Sequence, residues 1–314
     1  MEVEETSLDA GYALLRQSCG RINFDHMAKF RITGEDRKGW LQGQVTNDLR
    51  DLVDGGYAKF CILTPTGQIV ADCDLWAIGD EYIVTTAEAS RDAALERLQK
   101  MLILEDVAIE DLSDEYGLWS IQGPESTDVL GEAVDLPRLN AGAVDGLRIL
   151  RSDRTGSGGW DVMAPRAEKK GAAALVASVP PVSAPAWEAA RIESGMPVYG
   201  RDITDKTLAM EMGAAFIESR ISFGKGCYTG QEIVERIRSR GHANRRWVGL
   251  IAEEPVAAGD KIEQTGAITS AAESPDFGPI AAAMIPASLK DHEVEIATEA
   301  GPVRAEVYEM PIRL

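Results

Sequence analysis

Cysteine and histidine are scarce in this chain, and their scarcity argues against several kinds of site. Its 314 residues include four cysteines and three histidines. The cysteines are scattered without a C-x-x-C pair, and the histidines have no metal-ligand spacing. Neither a disulfide framework nor a self-contained metal site is therefore expected, although a cluster bridged between two chains stays open.

Long apolar runs are also missing. No stretch approaches the ~20 apolar residues that a membrane-spanning helix requires. The acidic N-terminus lacks the basic and apolar regions of a secretory signal, so we expect a cytoplasmic protein with no membrane partner. The chain has no Ser–His–Asp set, P-loop or dinucleotide fingerprint, which argues against hydrolase, NTPase and dehydrogenase activities.

Positive charge is in short supply as well. The net charge of −19 argues against broad binding to nucleic acids or to anionic membranes. The exception is a cluster that lies close together along the chain: Arg236, Arg238, Arg240, Arg245 and Arg246. This cluster fits a solvent-facing helix surface or a patch that binds carboxylates, and nucleic-acid binding is a third, less favoured use.

The patterns that are present predict an α+β fold. Segments 57–63 and 68–78 alternate like paired strands around a Pro-Thr-Gly turn. Helical segments are interspersed with such hairpins and do not follow a regular βαβ order.

The character of the chain changes after Arg246. Short strand patterns separated by glycine, proline and charged turns follow, and they predict a small β-barrel of about 70 residues. We therefore expect an α+β region over 1–244, which can divide into two subdomains with the second near 115–183, and a barrel over 245–314.

The most specific local feature is the octapeptide 225–232, which reads Lys-Gly-Cys-Tyr-Thr-Gly-Gln-Glu. Thr229 and Glu232 have the spacing of a capping box, which predicts a helix that begins just after Cys227. The helix dipole and Lys225 would both favour the thiolate form of Cys227. The thiol is then a candidate nucleophile, redox group or metal ligand, and the alternative is a buried structural cysteine beside a turn.

The octapeptide resembles the signature of the YgfZ-type folate-binding proteins, which are relatives of the glycine-cleavage T-protein, an aminomethyltransferase. Segments 33–48, 63–72, 122–124 and 191–200 are similar to further segments of the same superfamily. The resemblance implies an aminomethyltransferase-like folate-binding region followed by a small C-terminal β-barrel. It also implies tetrahydrofolate as the cofactor and iron–sulfur proteins or their assembly factors as clients.

The resemblance implies a set of site residues. Those with a chemical role would be Cys227, Lys225 and Asp72. Those near folate would be Arg191, Glu193, Asn47, Trp160, Tyr228, Gln231 and Glu232.

Two positions depart from the T-protein pattern. Ala71 stands where T-proteins have the first of two successive acids, and Ser157 stands where they have a pterin-binding glutamate. These departures favour an accessory factor for iron–sulfur cluster assembly or repair that acts through Cys227. The alternatives are a tetrahydrofolate-dependent aminomethyl- or methyltransferase that uses Asp72 and Arg191, and a binding module without chemistry.

Overall fold

The computed structural model describes residues 6–131, 140–144, 146–168, 176–241, 243–262, 266–290 and 292–313. Two five-stranded antiparallel sheets and a closed six-stranded barrel make up its framework. No helix among these residues is long and apolar enough to cross a membrane.

The strands, in chain order, are β1 Gly20–Asn23, β2 Ala28–Thr33, β3 Tyr57–Leu63, β4 Ile69–Ile78, β5 Glu81–Thr86, β6 Ala108–Asp111, β7 Tyr116–Gln122, β8 Ala141–Val144, β9 Leu147–Arg151, β10 Gly159–Pro165, β11 Arg245–Ala252, β12 Lys261–Ile262, β13 Gly266–Ser274, β14 Gly278–Pro286, β15 Glu293–Thr298 and β16 Gly301–Tyr308. The described α-helices are α1 Leu8–Gln17, α2 Arg37–Gln42, α3 Arg91–Gln99, α4 Ser126–Gly131, α5 Ala184–Glu193, α6 Ala214–Arg220 and α7 Gln231–Arg240.

The first sheet has the order β3-β4-β5-β2-β6. The hairpin of β3 and β4 at one edge of the sheet turns where the sequence predicts it, with Gly67 at a positive φ of 85°. One face of β4 packs into a core with Phe30, Leu41 and Phe60, and the other face carries its polar residues. This alternation, which follows from the two-residue period of a strand, decides what β4 presents to the functional site.

The second sheet has the order β1-β7-β10-β9-β8. Strand β1 comes from the N-terminal segment and pairs with β7, so this sheet draws on residues outside the 115–183 segment. Helix α5 packs on α1 and on barrel strand β13, and it reaches the barrel with its buried C-terminal half.

The C-terminal barrel closes in the order β11-β14-β13-β12-β15-β16, which confirms the predicted barrel. Its interior is filled by branched side chains such as Val248, Leu250 and Ile285. A separate apolar cluster joins the barrel to β3, β4, α6 and α7, and it includes Leu63, Ile69, Phe216, Val234, Trp247 and Ile280. The barrel thereby holds α6 against the hairpin at the functional site.

Candidate functional site

Strand β4 presents two carboxylates on one face. Asp72 and Asp74 are two residues apart, so both side chains point away from the core. Ala71 points the other way and is fully buried in the core of the first sheet. The expectation that Ala71 removes an acid from the site is therefore wrong, because a side chain at position 71 faces the core.

Both aspartates line a cavity of about 310 Å³, which we call the aspartate cavity. Its walls combine carboxylates, buried cations, aromatic rings and methionines. They include Phe24, His26, Met27, Asp72, Asp74, Thr85, Glu88, Arg154, Trp187, Met196, Tyr199 and Arg220. Residues from the N-terminal segment, the first sheet, the loop between β9 and β10, α5 and α6 thus meet around one space.

Arg220 at the end of α6 holds Asp72 in place. Its Nε donates to Oδ1 of Asp72 at 2.6 Å and its Nη2 donates to Oδ2 at 3.1 Å. The guanidinium carbon of Arg220 lies 4.1 Å from the centroid of the Phe216 ring, and the two groups form a cation–π contact. This bidentate pair fixes the Asp72 carboxylate at the cavity wall while leaving lone pairs free for a ligand.

Asp74 is ionised although only 13% of its side chain is exposed. Burial by itself would raise its pKa, but attraction to Lys59, Arg154 and Arg220 outweighs burial, and the pKa lies below its ordinary value of 3.8. The Tyr57 hydroxyl donates to Oδ1 of Asp74 at 2.6 Å. The cavity therefore carries a permanent negative charge at neutral pH beside the Asp72 carboxylate.

The remaining walls of the aspartate cavity are flat and apolar. Phe24 and Trp187 meet edge to face with ring centroids 5.2 Å apart. Burial lowers the pKa of His26 below 6.5, so the imidazole is neutral at pH 7. The buried Thr85 hydroxyl has no hydrogen-bond partner among the described residues, which leaves one unsatisfied polar group in the wall.

Two further cavities adjoin this one. The lysine cavity, of about 280 Å³, shares Met196 and Arg220 with the aspartate cavity and is lined by Lys59. The tryptophan cavity, of about 440 Å³, shares Phe24 and Trp187 with it and is lined by Trp119. The lysine and tryptophan cavities thus share walls with the aspartate cavity.

Arg191 lies in the wall of the aspartate cavity, but its side chain is fully buried. It donates to Asp202 at 2.8 Å, to the Met196 carbonyl at 3.1 Å and to Glu188 at 3.0 Å. Because these bonds engage the guanidinium, the prediction that Arg191 contacts folate is corrected. Arg191 positions the cavity wall instead.

Glu193 is fully buried away from the three cavities. It accepts hydrogen bonds from Tyr12, Arg16, Ser274 and Arg313. The superfamily resemblance implies that Glu193 lies beside folate, but in the structure its carboxylate connects α1, α5, the barrel and the C-terminal segment.

Asn47 and Trp160 also lie outside the cavities. The Asn47 side-chain amide donates to the carbonyls of Lys59 and Ser219 and so ties β3 to α6. Trp160 is buried in the second sheet, where its Nε1 donates to Thr127 at 3.1 Å. Both predicted folate contacts are therefore structural. Ser157, the other departure from the T-protein pattern, accepts from Arg16 at 3.0 Å.

The octapeptide loop lies apart from the aspartate cavity. Cys227 is exposed and lines neither the aspartate cavity nor the lysine or tryptophan cavity. The Lys225 ammonium donates to the carbonyls of Gln42, Val45 and Asn47 within 2.8 Å. The expectation that Lys225 activates the thiol is thus wrong, because its three donors anchor the loop instead.

Helix α7 begins one residue later than the capping box predicts. Gly230 is the N-cap, in the left-handed conformation with φ 86°, and no side chain caps the helix. The Thr229 hydroxyl accepts from Arg97 at 2.6 Å instead. Gln231 and Glu232 form the first turn of α7, and Tyr228 is buried beneath the loop with Lys225 5.1 Å from its ring centroid.

The residues that build the cavity were largely missed by sequence reasoning. Asp74, Arg154, Arg220 and Lys59 stand in no recognisable local motif. Alternation along the predicted strands could have found two of them, because Asp74 shares a strand face with Asp72. Lys59 lies directly opposite Asp74 in the β3–β4 pair.

Comparisons with known proteins agree with this architecture. The GCVT N-terminal domain family matches residues 4–220. The chain is similar to an aminomethyltransferase of Rubrobacter xylanophilus, with 28% identity over 99% of this chain and 87% of the relative. An aminomethyltransferase of Deinococcus deserti is 27% identical over 96% of this chain and 88% of its own length.

A solved structure gives the same result for the fold. The glycine cleavage system aminomethyltransferase T from Bartonella henselae superposes with a TM-score of 0.88 and 22% identity, covering 98% of this chain and 89% of that one. The chain therefore belongs to the GCVT family and has the aminomethyltransferase fold. The narrower YgfZ-type assignment and the iron–sulfur role have no support in these relatives and remain hypotheses.

Proposed function

We propose that this protein binds tetrahydrofolate in the aspartate cavity and acts as a folate-dependent aminomethyl- or methyltransferase. The observation that carries this proposal is the convergence of Asp72 and Asp74 on one cavity with aromatic walls. The family membership and the names of the similar aminomethyltransferases support it.

The residues present fit a reduced pterin. Its ring edge carries several N–H donors, and the carboxylates of Asp72, Asp74 and Glu88 offer acceptors in the cavity wall. Thr85 supplies a hydroxyl that has no partner among the described residues. Phe24 and Trp187 offer apolar surfaces for the flat ring system.

Bound tetrahydrofolate would supply a ring nitrogen that takes up the one-carbon unit. Asp72 is the residue placed to orient this nitrogen and to accept its proton, because its carboxylate faces the cavity. Arg220 keeps that carboxylate in one orientation through its two hydrogen bonds. Asp74 contributes fixed negative charge beside the Asp72 carboxylate. The apolar walls of the aspartate cavity limit the access of water.

Cys227 does not enter this proposal. The iron–sulfur hypothesis depends on an activated thiol, whereas Cys227 lies outside the cavities and Lys225 is bonded to backbone carbonyls. We therefore place the transferase function ahead of the accessory role.

The test is binding and turnover with one variant and its control. Calorimetric titration with tetrahydrofolate should give saturable binding, and an aminomethyl donor should yield methylenetetrahydrofolate. Asp72→Asn should lower the transfer rate by about 10²–10⁴-fold, as expected for loss of a proton-accepting group, while it changes affinity much less.

Asp128→Asn is the matched control, because Asp128 is exposed on α4 and lies outside the cavities. It should match the wild type in both measurements. Absence of tetrahydrofolate binding by the wild type, or full transfer activity of Asp72→Asn, would contradict the proposal.

A further inference from the structure

Lys59 is the one cation of the cavity region to which the described residues offer neither a hydrogen bond nor an ion pair. It lies on β3, half-buried, and lines the lysine cavity. Its Nζ lies 6.0 Å from the centroid of the Tyr57 ring and interacts with Asp74 and Asp72 only through longer-range attraction.

The neighbouring carboxylates hydrogen-bond to other side chains, and neither forms an ion pair with Lys59. Asp74, directly opposite Lys59 in the strand pair, accepts from the Tyr57 hydroxyl and lies 3.9 Å from Arg154. Asp72 accepts hydrogen bonds from two of the three guanidinium nitrogens of Arg220. The hydrogen-bond donors of the Lys59 ammonium are therefore free of partners among the described residues and can bind a ligand in the lysine cavity.

Such an arrangement is unfavourable without a ligand. Burial, aided by repulsion from Arg220 and Arg154, lowers the pKa of Lys59 below 10.5 in spite of the attraction of Asp74 and Asp72. An ammonium group that is partly dehydrated and lacks a partner destabilises a fold.

The rest of the lysine cavity indicates what kind of molecule would accept those donors. Its walls are mostly apolar and include Met196, Met212, Phe216, Trp247 and Met310. Asp153 carries the opposite charge at the exposed side of the cavity, where its carboxylate accepts from the backbone of its own loop. A ligand that fits has an apolar body and a negatively charged end.

We propose that the lysine cavity is a carboxylate-binding subsite, in which Lys59 binds the acidic end of an apolar or aromatic molecule. This inference rests on the proposed function for the aspartate cavity, with which the lysine cavity shares Met196 and Arg220. The carboxylate belongs either to the benzoylglutamate half of the folate itself or to a separate small carboxylic acid bound beside it.

Calorimetric titrations with three probes test the subsite. They are p-aminobenzoylglutamate, which has the aromatic ring and carboxylates without the pterin; 6-methyltetrahydropterin, which has the pterin alone; and benzoate, added to protein saturated with tetrahydrofolate. Lys59→Met keeps the aliphatic stem and removes the charge, and Lys59→Arg keeps the charge.

We expect Lys59→Met to weaken p-aminobenzoylglutamate and tetrahydrofolate binding by about ten- to hundredfold, as for a hydrogen bond to a charged group. Binding of 6-methyltetrahydropterin should not change. Lys59→Arg should restore most of the affinity. Lys206→Met, at an exposed lysine outside the three cavities, is the control and should behave as the wild type.

The two carboxylate sources give different results. If benzoate binds alongside tetrahydrofolate and loses its affinity in Lys59→Met, the carboxylate belongs to a second molecule. If p-aminobenzoylglutamate and tetrahydrofolate are weakened together, it belongs to the folate. Unchanged affinity of Lys59→Met for both carboxylates, or no binding of either by the wild type, overturns the subsite.

Failure of the proposed function would look different. The wild type would then bind neither tetrahydrofolate nor the pterin probe, while p-aminobenzoylglutamate would still bind in a manner that depends on Lys59. Thermal unfolding serves as the folding control, since Lys59→Met removes a dehydrated charge and should unfold at or above the wild-type temperature.

Discussion

Asp74 carries a negative charge in a largely buried position because three cations lie near it. Lys59, Arg154 and Arg220 together lower its pKa below 3.8, although burial acts in the opposite direction. Arg154 in turn is paired with Asp161 at 2.6 Å. The charges at this site therefore depend on one another, and removal of Asp74 leaves the cations without their shared anion.

Asp74→Asn should lower the free energy of unfolding by about 3 kcal/mol at pH 7, because it leaves buried cations without their shared anion. The folded-state pKa of Asp74 is lowered, so the stability that its charge contributes is fully present above the ordinary value of 3.8 and is lost as pH falls through the folded-state pKa.

Urea unfolding at several pH values checks this prediction. The difference between wild type and Asp74→Asn should stay constant from pH 7 to pH 5 and shrink below pH 4. A difference that is already small at pH 7, or that grows on acidification, would show that Asp74 is not the charge that balances these cations.

The sequence predicted the roles of individual site residues less well than it predicted strands and the C-terminal barrel. The sequence predicts site roles for both Arg191 and Asp72, and both line the cavity. The Asp72 carboxylate keeps free lone pairs for a ligand, whereas the donors of Arg191 are engaged. A one-dimensional pattern does not show whether an arginine's donors are already used, as those of Arg191 are by Glu188 and Asp202.

At the scale of elements, strand β4 shows how alternation decides function. Asp72 and Asp74 face the cavity, while Ala71 and Cys73 face the core of the first sheet. A shift of one position moves a side chain from the site to the core. The local sequence around an acid pair therefore matters less than the strand face on which each acid lies.

Ala71→Asp tests this geometry. The new carboxylate would be buried in an apolar cluster without a partner, and we expect a loss of several kcal/mol of unfolding free energy and no gain in transfer activity. Thermal unfolding and the methylenetetrahydrofolate assay measure both. A stable, more active Ala71→Asp protein would mean that position 71 faces the cavity.

The residue at which helix α7 begins can also be tested by substitution. Gly230 has a φ of 86°, and a Cβ there would approach the Thr64 carbonyl oxygen at 2.7 Å. Gly230→Ala should therefore cost about 2–3 kcal/mol of unfolding free energy. Thr229→Ala should cost about 1 kcal/mol, because it loses only the hydrogen bond from Arg97.

Chemical denaturation of the two variants distinguishes the observed helix start from the predicted capping box. If Thr229 were the cap, its replacement would be the more damaging of the two. Equal or reversed effects would therefore count against Gly230 as the residue at which the helix begins.

At the scale of the whole molecule, Glu193 connects distant parts of the chain. Its carboxylate accepts from Tyr12 and Arg16 on α1, from Ser274 on the barrel and from Arg313 near the C-terminus. Arg313 also pairs with Asp276 in the turn after β13. This network fixes α5, whose other end carries Trp187 into the aspartate cavity.

Glu193→Gln should lower the free energy of unfolding by about 3–5 kcal/mol, because the amide cannot satisfy buried cations that approach from several sides. Glu218→Gln, at an exposed position on α6, is the control and should be within about 0.5 kcal/mol of wild type. Loss of folate affinity only in proportion to unfolding would confirm a structural role, whereas lost affinity in a stable Glu193→Gln protein would restore Glu193 as a ligand contact.

The class of fold and the T-protein superfamily could be predicted from the sequence, whereas the narrower YgfZ-type assignment stays a hypothesis. Strand alternation predicted the β3–β4 hairpin, and short strand patterns predicted the barrel, because these features depend on local spacing and turn chemistry. The superfamily resemblance and Asp72 were likewise available from motifs.

Which residues meet at the site follows from the tertiary structure alone. Arg154, Arg220 and Lys59 come from separate elements and converge through the packing of two sheets and α6, which no local pattern encodes. The same packing turned Lys225 toward backbone carbonyls and left Cys227 outside the cavities. Side-chain partners are set by contacts distant in sequence, and for that reason the most conspicuous motif of this chain did not lie at the candidate site.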